Sequence, residues 1–444
     1  MVASVALDGA NAPTEVTAAA PVSAAERIAT LDFVRGCALF GILLMNITAF
    51  GLSHAYDNPV NNGGSTGADL WSWIVIQIMF EGTQRGLFSL LFGAGIILLT
   101  RRLEKTIPDM ASDIYVRRNL WLLVFGLFNA WILIWQGDIL FAYGVTALVA
   151  YAFRKLSPRW LIGIGLAFML FNAVLTYKGT YEVLSSYKKA TAAQQLEKKK
   201  VKLTEEQKGA ITEWKKQVEE FTPPKKVIDE DIKAHRSGWL GTQQKIAGTI
   251  RFLQSTLVYV NFGDIFGMMM LGMALYKLGV LTLERPVSTY IFMVLIGYGI
   301  GIPVNVTEVR WIIDHQFSLL AFSEAAVTYD VGRIAMTMGH LGLLLLFCRS
   351  GILFWLRRSL AAVGQMALTN YLTHSFVCAV IFTGFGLYGA LHRHELYYVW
   401  AAIVVPQLII SPIWLRHYRF GPMEWLWRSL TYWNRQPFRK ATLA

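Results

Sequence analysis

The chain has 444 residues, 55% of them hydrophobic and only 16% charged, with a mean hydropathy of +0.42. A soluble globular domain carries about a quarter of its residues as charged side chains, so this balance excludes one and points to an integral membrane protein. The formal net charge of +12 does not indicate nucleic acid, because about 15 of the 41 Lys and Arg residues lie between Lys178 and Lys245 and most others flank apolar segments, where they orient membrane helices.

Residues 1–26 are rich in Ala, Val, Thr and Pro and lack Lys and Arg, so they make no basic signal-peptide region and are expected to be a disordered tail. Apolar windows long enough to cross a hydrocarbon layer of about 30 Å follow near 33–52, 70–100, 119–136, 139–154, 159–177, 256–278, 286–303, 331–348, 362–386 and 397–415. The expected fold is an all-α polytopic bundle of about ten transmembrane helices. Its second span is too long for one straight crossing and carries Glu81-Gly-Thr-Gln-Arg85-Gly86 at its centre, so it is expected to be broken. The bundle divides into an N-terminal part, 27–177, and a C-terminal part, 251–416. Between them, 178–250 is a hydrophilic insertion whose dense Glu and Lys at helical spacing suggest solvated helices. Basic loops, among them Arg101-Arg102, Arg117-Arg118 and Arg357-Arg358, fall on one face, which places both termini in the cytoplasm and the insertion outside. The tail at 417–444, with Trp425, Trp427, Tyr432 and Trp433 beside Arg428 and Arg435, is expected to lie at the cytosolic headgroups.

Polar groups inside apolar runs are costly and mark candidate sites. Arg35 and Asn46 lie eleven residues apart on the first span, almost three helical turns, so both face one side of it, about 16 Å apart in depth. Asp32 stands one turn before Arg35 and is a natural partner for it. Glu81 and Arg85, four apart at the expected break, can neutralise one another, either to fix the break or to line a path. Asn370 and His374 repeat that spacing on the ninth span, His340 lies on the eighth, and Asp330 with Arg333 is expected at its outer mouth. His54, near Asp57, sits in the first outer loop. Cys37, Cys348 and Cys378 are scattered without metal-ligand spacing, so no metal site is expected. The glycines of Gly93-Ala-Gly95 and Gly297-Tyr-Gly-Ile-Gly301 lie in helices with no strand before them, and are expected to be packing surfaces, not phosphate loops.

Five motifs in order, Leu31-Asp-Phe-Val-Arg-Gly-Cys through Asn46-Ile, Phe88-Ser-Leu-Leu-Phe-Gly-Ala-Gly95, Gly137-Asp-Ile-Leu-Phe-Ala-Tyr-Gly144, Met366-Ala-Leu-Thr-Asn-Tyr-Leu372 and Gly421-Pro-Met-Glu-Trp-Leu-Trp-Arg-Ser-Leu-Thr-Tyr432, resemble the YeiB family of bacterial inner-membrane proteins (domain of unknown function 418). The resemblance runs from Ile28 to Phe438. More distantly, the opening helix is similar to that of transmembrane acyltransferases of the heparan glucosaminide acetyltransferase type. That likeness implies a basic donor-binding residue at Arg35 with Asp32, an Asn at position 46 and a histidine base in the outer loop, for which His54 is the candidate; His374 is the alternative base on its own chemistry, because a histidine in an apolar helix can stay neutral near physiological pH.

Two function classes follow. One is an acyltransferase that takes an acyl group from a cytosolic CoA thioester to a small acceptor near the outer face, with acyl-CoA as co-substrate and no tightly bound cofactor. It requires Arg35, Asn46 and a histidine around one cavity. The other is a transporter without chemistry, in which Glu81, Arg85 and His374 form a relay, for which no internal repeat is evident. Expected partners are membrane lipids and a small-molecule substrate, with a homo-oligomer left open.

Overall fold

The computed structural model describes residues 29–56 and 58–440. The expected tail at 1–26, Asp57 and the last four residues lie outside the described residues. In chain order the helices are α1 (Ala29–Gly51), α2 (Gly67–Met79), α3 (Thr83–Thr106), α4 (Ala111–Trp131), α5 (Leu140–Ala150), α6 (Pro158–Lys198), α7 (Glu205–Phe221), α8 (Lys225–Arg236), α9 (Trp239–Phe252), α10 (Val258–Lys277), α11 (Val287–Asp314), α12 (Leu319–Ser350), α13 (Phe354–Gln365), α14 (Ala367–Cys378), α15 (Leu396–His417) and α16 (Pro422–Tyr432). Among the described residues the only β pairing is one bridge between Tyr418 and Arg439, so the expected all-α bundle is what forms.

Among the described residues six helical stretches are long and apolar enough to cross a bilayer, or seven if α13 and α14, bent by 81° at Met366, count as one. The count of ten is not reproduced. The apolar helix Leu140–Phe153 is too short to qualify, and α13 with α14 reaches the length only as a bent pair. The second span is broken as expected: α2 ends at Met79, and α3 begins after Gly82, whose φ is +67°. Glycine is required there twice over, because a side chain would also collide with Tyr329 and Arg333.

Where helices cross, glycines let backbones touch. Gly36 of α1 lies against the Leu360 carbonyl of α13, and Gly364 of α13 lies against the Asp32 carbonyl of α1. Gly93 of α3 and Gly272 of α10 make the same reciprocal contact, with the carbonyls of Met269 and Leu90. Gly297 of α11 packs on Ala335 and Gly339 of α12, so it and Gly93 are the packing surfaces expected. Gly95 differs, because open space lies where its side chain would be.

The insertion is helical and packed. At 41 residues, α6 is about 60 Å long, twice a hydrocarbon layer, so its second half continues beyond the bilayer. Thr204 and Gln207 form a reciprocal cap that starts α7, and Trp214 packs on Tyr187 so that α7 folds back along α6. In α8 the His235 ring stacks at 3.9 Å on Tyr388, whose hydroxyl donates to Asp231 Oδ2 at 3.1 Å. Trp239 Nε1 then donates to the Ile132 carbonyl at 2.8 Å, returning α9 to the bundle.

Gly364→Ala is expected to cost about 1–3 kcal/mol, the usual penalty of overpacking a tight contact, because its methyl meets the Asp32 carbonyl. Gly95→Ala should be neutral or slightly stabilising, since the methyl has room and alanine favours the helix. Thermal unfolding in detergent compares the two, and equal shifts would sink the close-contact account.

Candidate functional site

Two cavities lie at opposite ends of α1. The first, about 230 Å³, sits on the side of the basic loops, among Asp32 and Arg35 of α1, Gly95 of α3, Arg118 of α4, Tyr371 of α14 and the residues of α16. Arg35 Nη1 binds Asp32 Oδ1 at 2.8 Å, the pairing expected from their spacing. The Arg118 guanidinium lies over the Trp427 ring at 3.7 Å, while Trp427 Nε1 donates to the Arg118 carbonyl at 2.8 Å. Arg428, over Phe420 at 4.5 Å, adds a third guanidinium to the wall. Beneath this cationic rim the lining is apolar, with Leu91, Phe92, Ile96 and Leu122.

The tail closes this cavity through Glu424. One carboxylate oxygen accepts from the N–H groups of Leu368 (2.6 Å) and Thr369 (3.0 Å), and the other accepts from Thr369 Oγ1 (2.6 Å). The break at Met366 leaves the first N–H groups of α14 without helical partners, and a helix N-terminus favours a negative charge. The aromatic tail thus seats a buried carboxylate inside the bundle as well as lying along it.

The second cavity, about 450 Å³, lies between Met45, Asn46 and Ala49 of α1, the α2–α3 break with Glu81 and Arg85, the 135–138 loop, Asp264 of α10 and Gln254. Asp138 caps α5, accepting from Phe141 N at 2.9 Å and from Asn129 Nδ2 at 2.8 Å. Among the described residues the Asn46 amide has no protein hydrogen-bond partner, and Asn46 lines this cavity. Between the two cavities stands Tyr143, packed edge-on to Phe88 (5.7 Å) and Phe92 (5.4 Å). Its hydroxyl is shared with Ser89 Oγ (2.6 Å) and donates to the Arg85 carbonyl (3.1 Å). Tyr371 completes the septum by accepting from Ile139 N at 3.2 Å.

Beside the second cavity three helices meet through charge. Asp264 of α10 lies 2.6 Å from Arg333 of α12 and 3.4 Å from Arg85 of α3. Arg333 also binds Asp330 at 2.8 Å, which accepts from Asn172 of α6 at 3.2 Å.

Several expectations need correction. Arg35 and Asn46 share a side of α1 but line different cavities, and no histidine lines either one, so the three do not gather around one cavity. His54 is an exposed turn residue at φ +51°, its carbonyl accepting from Asn61 Nδ2 at 2.8 Å. His374 is buried in a polar lattice between α14 and α15: its Nε2 meets Gln407 Oε1 at 2.8 Å, and Asn370 donates to Ser411 and to the Val363 carbonyl. His340 bonds the Met336 carbonyl through Nδ1, one turn back, between the rings of Phe80 and Tyr298. Arg85 takes Asp264 as an ion-pair partner, and Glu81 accepts from the Tyr329 hydroxyl at 3.2 Å. Arg333 is only 2% exposed and is held by Asp264, the lone acid of α10. Sequence reasoning passed over Asp264, whose isolation in the apolar window 256–278 was the available signal. It also missed Asp138, Gln254, Arg118 and Glu424, whose partners are distant in sequence.

The model of the family described as "Protein of unknown function (DUF418)" matches residues 275–434. The chain is similar to "Uncharacterized protein YeiB" of Escherichia coli (strain K12), 30% identical over 414 residues that cover 91% of this chain and 96% of that protein. It is also similar to "Uncharacterized protein YxaH" of Bacillus subtilis (strain 168), 28% identical over 95% of this chain and 98% of the relative. A third relative, "Uncharacterized 39.9 kDa protein in amylase 3'region" of Bacillus acidopullulyticus, is 25% identical over 94% of this chain and 97% of its own length. No solved structure matches the chain.

Arg333 lies within the matched region, and its burial makes it the sharpest test of the charge cluster. Arg333→Met should cost about 3–5 kcal/mol, since removing one partner strands buried carboxylates. Adding Asp264→Asn should recover part of that loss. A single variant that unfolds in detergent at the wild-type temperature would show that the ion pair does not hold the helices together.

Proposed function

We propose, from the premise that this chain belongs to the YeiB (DUF418) family and is a multi-pass membrane protein, that it passes an acyl group from a thioester donor on one side of the bilayer to a small acceptor on the other. The observation that carries this reading is the pair of cavities abutting on one aromatic septum, cationic on the side of the basic loops and rich in carboxylates on the other. By the charge rule the basic face is cytoplasmic, as in a bacterial inner membrane. Arg35, Arg118 and Arg428 then offer a seat for the phosphates of coenzyme A. A cavity of about 230 Å³ is too small for the whole nucleotide but suits the slender pantetheine arm, which would bring the thioester to Phe88, Phe92 and Tyr371 on the near face of the septum.

The chemistry needs a base, an oxyanion donor and a path for the proton. The single cavity with a histidine expected for this chemistry is not formed among the described residues. The roles fall instead to Asp138, the carboxylate beside the septum suited to act as base, and to Asn46, which offers its amide to the developing oxyanion. The acceptor's hydroxyl or amine attacks the thioester carbonyl. A C–O or C–N bond forms as the C–S bond breaks, and the proton released to Asp138 passes to the leaving thiolate. A transporter without chemistry is the second reading, supported by the same two cavities, with the septum as its gate.

Arg35→Ala is expected to weaken acetyl-CoA binding about tenfold or more, the scale of one charge-assisted hydrogen bond, when followed by calorimetry on the purified protein. Asn46→Ala should abolish turnover with insertion and fold intact. Undetectable acetyl-CoA binding by folded protein would favour the transporter, and full turnover by the Asn46 variant would remove that residue from the chemistry.

A further inference from the structure

We infer that the turn that follows α9 supplies a ligand-selecting residue, Gln254, to the second cavity, and that the ligand it selects there is a neutral, oxygen-rich small molecule. The chain leaves α9 through a π-helical turn at Leu253–Leu257, a local distortion that often marks functional positions because it re-aims one side chain. Gln254 sits in that turn and lines the cavity. Trp131 Nε1 donates to its Oε1 at 3.1 Å, which fixes the amide. That Nε2 is buried and has no hydrogen-bond partner among the described residues. Arg85 Nε, on the same cavity, is likewise buried without a partner. A buried donor left unsatisfied costs about 1–3 kcal/mol, and an acceptor oxygen of a bound molecule that reaches either group would remove that cost.

The charges decide which kind of oxygen. Glu81, Asp138 and Asp264 line the cavity against Arg85 alone, and Arg333 behind them is offset by Asp330. An anionic ligand would meet this negative excess, whereas hydroxyl, ether or amide oxygens accept from Gln254 and Arg85 without adding charge. Asp138 already accepts from Asn129 and Phe141 and Glu81 from Tyr329, while Asp264 is ion-paired with the two arginines. Gln254 Nε2 and Arg85 Nε are unpartnered donors at this cavity that a neutral oxygen can meet. The inference rests on the proposed function only in treating the occupant as the acyl acceptor.

The test is binding to the full-length protein in detergent without any acyl donor, using three probes of similar size: myo-inositol, glucuronate and glucosamine. Wild-type protein should bind myo-inositol at least tenfold more tightly than glucuronate. Gln254→Glu keeps the oxygen that Trp131 holds but replaces the open donor with an acceptor. It should weaken myo-inositol about tenfold and shift preference toward glucosamine, while thermal unfolding confirms the fold. Arg35→Ala should leave all three affinities unchanged, which separates this site from the donor site and lets the inference stand or fall apart from acyl transfer. Tighter binding of glucuronate, an unchanged probe order in Gln254→Glu, or no binding of any probe to wild-type protein would overturn it.

Discussion

The bundle is organised around one buried carboxylate. Lipid offers no partner to an ionised group, so Asp264, alone in an apolar helix, must be met from within the protein. It draws Arg85 from α3 and Arg333 from α12, and through Asp330 the chain of contacts reaches Asn172 on α6. Four helices are thereby fixed in rotation relative to one another. The break between α2 and α3 follows from the same demand, because Gly82 is where the backbone turns close over the Arg333 side chain.

That arrangement also separates the two cavities. Arg85 turns its guanidinium toward Asp264, while its carbonyl accepts from the Tyr143 hydroxyl. The residue that anchors the charge cluster therefore also positions the septum between the cationic cavity and the carboxylate-rich one. Fold and candidate site share a single polar junction, and a change in one is felt in the other.

Much of the fold was legible in the sequence. The all-helical bundle, the broken second span, the helical insertion, the Asp32–Arg35 pair and the glycine packing surfaces each follow from local rules of length, spacing and side-chain size. The site was legible only in part. Helical periodicity places Arg35 and Asn46 on one side of α1, but it cannot show that a tyrosine from α5 stands between them. Suspicion fell on the histidines because of their chemistry, whereas the fold spends His340 and His374 on hydrogen bonds within and between helices. Gln254 gave no signal, since a glutamine after a polar helix is unremarkable until a π turn aims it into a cavity.

The cap that Glu424 places on α14 bears on how the molecule is assembled. Its partner Leu368 precedes it by 56 residues, with all of α15 between them. During synthesis the start of α14 must therefore enter the bundle with its N–H groups still open, waiting for a carboxylate from the final helix. The cationic cavity is completed by Trp427 and Arg428 from that same helix, so it is the last part of the protein to take shape. A chain stalled before Gly421 would insert its long helices and yet lack the finished cationic cavity.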